Sequence, residues 1–341
     1  MKEAIIHPGT RVEIVDSPIP EPNDDQVLIK VVVSGSNPKD WKVPEWLNQS
    51  RNEGDDIAGI VEKVGANVVE FKPGDRVAAF HEMMTPHGSY AEYAVAWAHT
   101  TFHIPKNTSF EAAAAIPLAA MTAALGLYVR LGLPEPWQAA PTPTPTPLVI
   151  YGAASAVGAY AVQLAARSNI HPLICVAGRG AAHVETLIDR GKGDTIVDYR
   201  GGAAAVEAGI AAAVPAGAEL RHAFDAVSDH GSYASLGKVL APGGRITLVL
   251  PFKEYEGIPA HVQQSLTNVG ASHKEEKEFA FAWFRLFAKG LGEGWFRAQP
   301  QEVVPGGLAG VQKALDDLKA GRASAVKYVF RIAETEGAGR S

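Results

Sequence analysis

The stretch that most constrains this chain is 148–158, Leu-Val-Ile-Tyr-Gly-Ala-Ala-Ser-Ala-Val-Gly. An apolar run of strand character ends in small residues, and the helical spacing of Ala161, Val162, Leu164 and Ala165 follows at once. A strand that turns tightly into a helix leaves backbone N–H groups at the helix N-terminus, where a dinucleotide pyrophosphate can dock. Ala153, Ser155 and Gly158 take the fingerprint spacing that three glycines usually fill, with Ala156 and Val157 between them. Small side chains there let phosphates approach the backbone. The competing reading is a plain strand-to-helix turn in an α/β core.

A second strand, Pro172-Leu173-Ile174-Cys175-Val176-Ala177, ends in Gly178-Arg179, roughly 20 residues beyond the turn. An NAD site usually carries Asp or Glu at this point, to accept from the ribose 2′-hydroxyl. A carboxylate would repel a 2′-phosphate, whereas a guanidinium holds one in a bidentate pair. Gly178 leaves space and Arg179 supplies charge, so the pattern favours NADPH; the alternative is a solvated surface arginine. Tyr199, after the strand pattern 195–198, is a further candidate for the same phosphate pocket.

At 341 residues, two domains are the default expectation. The net charge of −6 gives no reason to expect nucleic acid or an anionic membrane as partner. No apolar run is long enough to span a bilayer, and the N-terminus has no secretory apolar segment. The single cysteine, Cys175, excludes disulfides within the chain and Cys-rich metal sites. A reducing, cytoplasmic location is expected.

Residues 1–120 read as short β segments separated by turns, among them 27–33, 59–64 and 76–80 after the turn Lys72-Pro73-Gly74-Asp75. Helical patterns follow at 111–116 and 122–131, and strands then alternate with helices to about 250, which predicts a parallel sheet. Strands are expected at 222–227 and 245–250, so Val227 and Leu250 would lie at carboxyl ends, where open parallel sheets bind ligands. The alternating prolines of 141–147 forbid a helix and read as an exposed extended loop before the first strand of that sheet. A helix at 310–319 and a strand at 325–332 could rejoin the first domain. The expected division is 1–120, 121–265 and 266–341, in an α/β fold with a β-rich domain and a doubly wound parallel sheet.

Several motifs in order resemble the medium-chain dehydrogenase/reductase superfamily, in its zinc-free quinone-reductase and enoyl-reductase branch. They are Gly54-Asp55-Asp56-Ile57-Ala58-Gly59-Ile60-Val61 with Val64-Gly65, then Phe71-Lys72-Pro73-Gly74-Asp75-Arg76-Val77, Gly88-Ser89-Tyr90-Ala91-Glu92-Tyr93, and Ala114-Ala115-Ile116-Pro117 with Thr122-Ala123. The resemblance implies a GroES-like domain interrupted by a Rossmann domain, with the active site in the cleft between them. Zinc-dependent relatives carry Cys and Gly-His-Glu where this chain reads Asn37 and Gly54-Asp55-Asp56, so a tetrahedral zinc site is not expected and no metal residue is assigned. His81 and His87 read as loop histidines.

Without a Lewis acid, hydride addition to an already activated double bond is the expected reaction, since hydrogen-bond donors can stabilise an enolate. The resemblance implies NADPH-dependent reduction of an enoyl thioester, enone or quinone. Ser36-Asn37-Pro38-Lys39-Asp40 resembles the segment beside the nicotinamide in such enzymes. Asn37 is a candidate there, with capping of the next turn as the alternative. Lys42 is a candidate proton donor or phosphate anchor, with a surface lysine as the alternative. Enoyl reductases of the mitochondrial type place a tyrosine in this neighbourhood, where this chain has Trp41 and Trp46. Lys327 stands where the family often has a basic residue near the cofactor. The aromatic run 279–287 reads either as the roof of a substrate pocket or as a packed core or interface helix. A homodimer is possible, and two other readings stay open: a non-catalytic NADPH-binding protein, and a trans-acting reductase partnered with a polyketide synthase.

Overall fold

The computed structural model describes residues 1–138 and 145–339. Most of the proline stretch expected to form a loop, 141–144, lies outside the described residues. The chain forms two compact units: Met1–Leu118 with Gly270–Ser341, and Ala119–Val269.

The first unit begins with β1 (Lys2–Ile6) and β2 (Val12–Asp16), an antiparallel pair. It continues through β3 (Gln26–Gly35), β4 (Asp56–Val64), β5 (Arg76–Phe80), β6 (Tyr93–Trp97) and β7 (Thr101–His103). The valine-rich β3 is buried over most of its length. β-branched side chains suit such a central strand, where both faces are covered.

The second unit holds β8 (Leu148–Tyr151), β9 (Leu173–Ala177), β10 (Thr195–Asp198), β11 (His222–Asp225), β12 (Arg245–Leu248) and β13 (Gln263–Leu266). All pair in parallel, in the order β10-β9-β8-β11-β12-β13. This is the doubly wound order, and its direction reverses between β8 and β11. The central strands are short and almost wholly apolar, as expected for a sheet covered on both faces.

Two expectations change. The strands expected at 222–227 and 245–250 stop at Asp225 and Leu248. The Asp225 carboxylate accepts from the N–H groups of Val227 and Ser228, which draws the chain out of the sheet. The helical pattern at 122–131 is α-helical only to Ala124 and continues as a π-helix, Leu125–Arg130.

The chain then returns to the first unit with β14 (Gln301–Val303) and β15 (Lys327–Arg331). The sheet order is β14-β15-β3-β4-β5-β7, with β6 also on β3. The helix Lys277–Glu293 carries the aromatic run, and Trp283, Phe284 and Phe287 are fully buried. Phe284 stacks on Phe102 and Phe287 on Phe296, so these rings build the core of the unit. Among the described residues no helix is long and apolar enough to cross a membrane.

Candidate functional site

The turn after β8 is shaped by space. Gly152 adopts φ +76°, a conformation costly for a residue with a Cβ. A Cβ on Gly158 would lie 2.2 Å from the Gly152 carbonyl oxygen and 2.8 Å from the Ala153 Cα, so only glycine fits. Ala153 is fully buried. Ser155 is the N-cap of the helix Ala156–Arg167, its Oγ accepting from the Gly158 N–H at 3.1 Å. Ala156 and Val157 therefore head a capped helix of twelve residues. A backbone cradle closed to side chains suits a pyrophosphate.

Gly178 and Arg179 follow β9, and Tyr199 follows the neighbouring β10. A Cβ on Gly178 would lie 2.5 Å from the Tyr199 ring, so Gly178 is what admits that ring. Tyr151 stacks on Tyr199, with centroids 6.4 Å apart. Arg179 is exposed. Val227 leans on the turn, since a Cβ on Gly152 would meet its Cγ2 at 2.6 Å. Leu250 lines an open cavity of about 230 Å³ with Leu248, Pro251, Phe252 and Leu266.

In the first unit the sheet register assembles a different kind of site. Val329 on β15 pairs with Gly35 on β3, which places Lys327 opposite Asn37. Gly35 pairs in turn with Asp56 at the start of β4. Asn37, Asp56 and Lys327 are 3%, 0% and 4% exposed. Lys327 Nζ donates to Asn37 Oδ1 at 2.7 Å and to Asp56 Oδ2 at 2.6 Å, and Asn37 Nδ2 donates to Asp56 Oδ2 at 2.7 Å. The Leu118 N–H occupies Asp56 Oδ1 at 2.7 Å. An ammonium only donates and a carboxylate only accepts, so the Asn37 amide has one orientation. Its side chain does not cap the following turn. Lys327 belongs to this buried network.

A second network meets the backbone of Asn37. Asp40 Oδ2 accepts from the Asn37 N–H at 2.7 Å and from the Tyr90 hydroxyl at 2.6 Å. Lys39 Nζ reaches Asp40 Oδ1 at 3.3 Å, Glu53 Oε2 at 3.1 Å and Asp55 Oδ2. Burial opposes the charge on Lys39, but Asp55, Asp40 and Glu53 outweigh it and raise its pKa. Burial pushes Asp40 up to about 7, against the pull of Lys39. Burial also raises Glu53. It acts against Asp55 too, yet Lys39 and the hydrogen bond from His81 hold that carboxyl below its ordinary range. His81 is buried, with Nδ1 3.0 Å from Asp55 and Nε2 2.9 Å from the Pro86 carbonyl.

Lys42 lies on the helix Lys39–Leu47, its ammonium 5.4 Å from the Trp41 ring centroid and 5.9 Å from that of Trp46. Lys39, Asp40, Asp56 and Tyr90 stand inside the motifs quoted above but received no role of their own there. A usable signal was present: consecutive carboxylates leading into the apolar strand Ile57-Ala58-Gly59-Ile60-Val61 have to find cations if buried.

The family described as the alcohol dehydrogenase GroES-like domain matches residues 23–106. A trans-enoyl reductase of Gibberella fujikuroi is 52% identical over 313 residues, covering 91% of this chain and 92% of that protein. The enoyl reductase of CurK shares the fold, with TM-score 0.76 and 18% identity over 96% of this chain and 98% of that one. So does a mycobacterial protein solved with NADPH, with TM-score 0.74 and 22% identity over 96% and 99% of the two chains. Two-unit architecture, doubly wound sheet, GroES-like match and a half-identical relative along nine-tenths of the length agree: the chain is an oxidoreductase of the medium-chain dehydrogenase/reductase superfamily, in its enoyl-reductase-like branch.

Proposed function

We propose that this enzyme uses NADPH, without zinc, to reduce the C=C bond of an enoyl carbonyl substrate. The observation that carries this reading is the 52% identity to a trans-enoyl reductase along nearly the whole chain. Enones and quinones are the related acceptors to compare. The residues of the second unit fit the cofactor: Ala153, Ser155, Ala156, Val157 and Gly158 would hold the pyrophosphate, with Gly178, Arg179 and Tyr199 at the adenosine end and Val227 and Leu250 beyond the turn. No carboxylate stands at the end of β9 to repel a 2′-phosphate. Bound, the reduced nicotinamide supplies a hydride to the β-carbon of the double bond.

In the first unit, Asn37 presents a neutral amide locked by Lys327 and Asp56, and Lys42 is the candidate proton source for the α-carbon. Zinc independence is supported by the donor chemistry: Asp55 faces Lys39 and Asp56 faces Lys327, so ammonium groups already neutralise these carboxylates. The proposed setting is the cytoplasm, with a small-molecule or carrier-borne substrate, no nucleic acid or membrane partner, and possible homodimerisation. The trans-enoyl reductase relative favours an enoyl substrate, and an enoyl thioester carried by a polyketide synthase is the form of it proposed here.

The test is loss of reduced-nicotinamide absorbance with a panel of enoyl thioesters, enones and quinones. Turnover of enoyl thioesters is expected; oxidation of NADPH by none of the three classes overturns the reading. Arg179→Ala should weaken NADPH binding about tenfold, within the range of a lost charge-assisted hydrogen bond, while leaving NADH unchanged.

A further inference from the structure

The loops after β11 and β12 are joined by a network that the functional reading does not use. Asp225, the last residue of β11, is fully buried. Its Oδ1 accepts from the N–H groups of Val227 at 3.0 Å and Ser228 at 2.7 Å, and its Oδ2 from the Ser232 hydroxyl at 2.6 Å. Burial raises its pKa, against the pull of these donors. The turn that results holds Ser228 at φ +55°, in the left-handed region that residues with a Cβ avoid.

A glycine would suit that backbone, yet the residue is a serine with a fully engaged hydroxyl. Ser228 Oγ donates to the Asp225 carbonyl at 2.9 Å and accepts from the Val249 N–H at 2.9 Å. Val249 directly follows β12, so one hydroxyl ties the end of β11 to the end of β12. Two more links run the same way: Lys253 Nζ reaches Asp229 at 2.6 Å, and the Tyr233 and Tyr255 rings meet edge to face at 5.0 Å. On the other side, Val227 packs against the Gly152 turn.

Sheet order says what these loops border. A dinucleotide lies across the reversal between β8 and β11, with its pyrophosphate at the turn after β8. If Arg179 and Tyr199, after β9 and β10, take the adenosine half, the nicotinamide half must extend over the loops after β11 and β12. We propose that Ser228, held by Asp225, is a positioning residue for the nicotinamide half of the cofactor, fixing Val249–Leu250 relative to Val227. The proposal rests on the NADPH reading above.

The experiment compares wild type, Ser228→Ala and Ser228→Gly for binding of NADPH and of adenosine 2′,5′-bisphosphate, which carries the adenosine half alone. Both variants should bind NADPH about fivefold more weakly, as for the loss of one hydrogen bond, and bind the bisphosphate like wild type. The glycine variant relieves the backbone cost, so it serves as the well-folded case. NADPH affinity equal to wild type in Ser228→Gly overturns the proposal, because the hydroxyl would then not be the link. Equal loss for both ligands overturns it as well, because the effect would not be confined to one half. Failure of the wild type to bind either ligand is a different result: it removes the NADPH reading itself.

Discussion

The two units build their candidate sites from opposite materials. The second uses backbone and empty space: Gly152, Ala153, Gly158 and Gly178 lie within 27 residues and matter for what they lack. The first uses buried charge: Lys327 meets Asn37 and Asp56 across sequence separations of 290 and 271. A site made of space fails when an atom is added. One made of charge fails when an atom is removed. Each failure can be provoked separately.

The largest effect is expected from Lys327→Met. It leaves Asp56 fully buried beside a thioether, and breaking a buried ion pair from one side costs about 3–5 kcal/mol. Adding Asp56→Asn removes the stranded charge, so the double variant should recover much of that loss in a denaturant titration. If the single and double variants unfold alike, the pair is not what holds β15 to β3 and β4 at this point.

Gly158→Ala is the matching test of the second unit. Its Cβ would fall 2.2 Å from a backbone oxygen, and neither partner is a side-chain end that could swing away. Forcing an atom into a packed place costs about 1–3 kcal/mol. NADPH binding should drop by about 10- to 100-fold. The Lys327–Asp56 site should keep its stability, because the strain arises in the other unit. Unchanged cofactor affinity would refute the cradle.

This contrast also explains what could be read in the sequence. The turn at 148–158 was legible because strand, small residues and helix follow one another along the chain, and local order fixes their geometry. Tyr199 was within reach because it follows a strand pattern at a predictable distance. Asn37 and Lys327 were both singled out through the resemblance, but not as partners of each other, and Asp56 was given no part beside them. Nothing near Asn37 announces Lys327, since only the pairing of Val329 with Gly35 brings them together. Lys39 was passed over for Lys42, three residues on, because patterning does not say which of two lysines faces inward. The early ends of β11 and β12 were missed for a related reason. Asp225 terminates its strand through its side chain, whereas hydrophobic periodicity runs on through Val227.

The smallest expected effect lies in the pH dependence of the first unit, where two opposite slopes overlap. Burial, with help from the neighbouring imidazole of His273, lowers His99 to about 4; burial likewise lowers His273 to about 4. Between about pH 6.5 and 4 the unfolded chain takes up protons that these folded imidazoles refuse, so acidification through that window lowers stability. Asp40 has the opposite sign. Its folded pKa of about 7 lies above the unfolded carboxyl's, so stability falls as pH rises from about 4 through 7. In the wild type the two contributions offset each other from pH 4 to 6.5. His99→Gln should therefore make Tm fall less on acidification than in the wild type, and Asp40→Asn should make it fall more. The quantity to compare is the slope of Tm against pH, because either substitution also shifts Tm through lost packing. Parallel slopes in all three proteins would mean that neither group titrates differently in the folded state, and the charge-built character assigned to the first unit would shrink to its ion pairs.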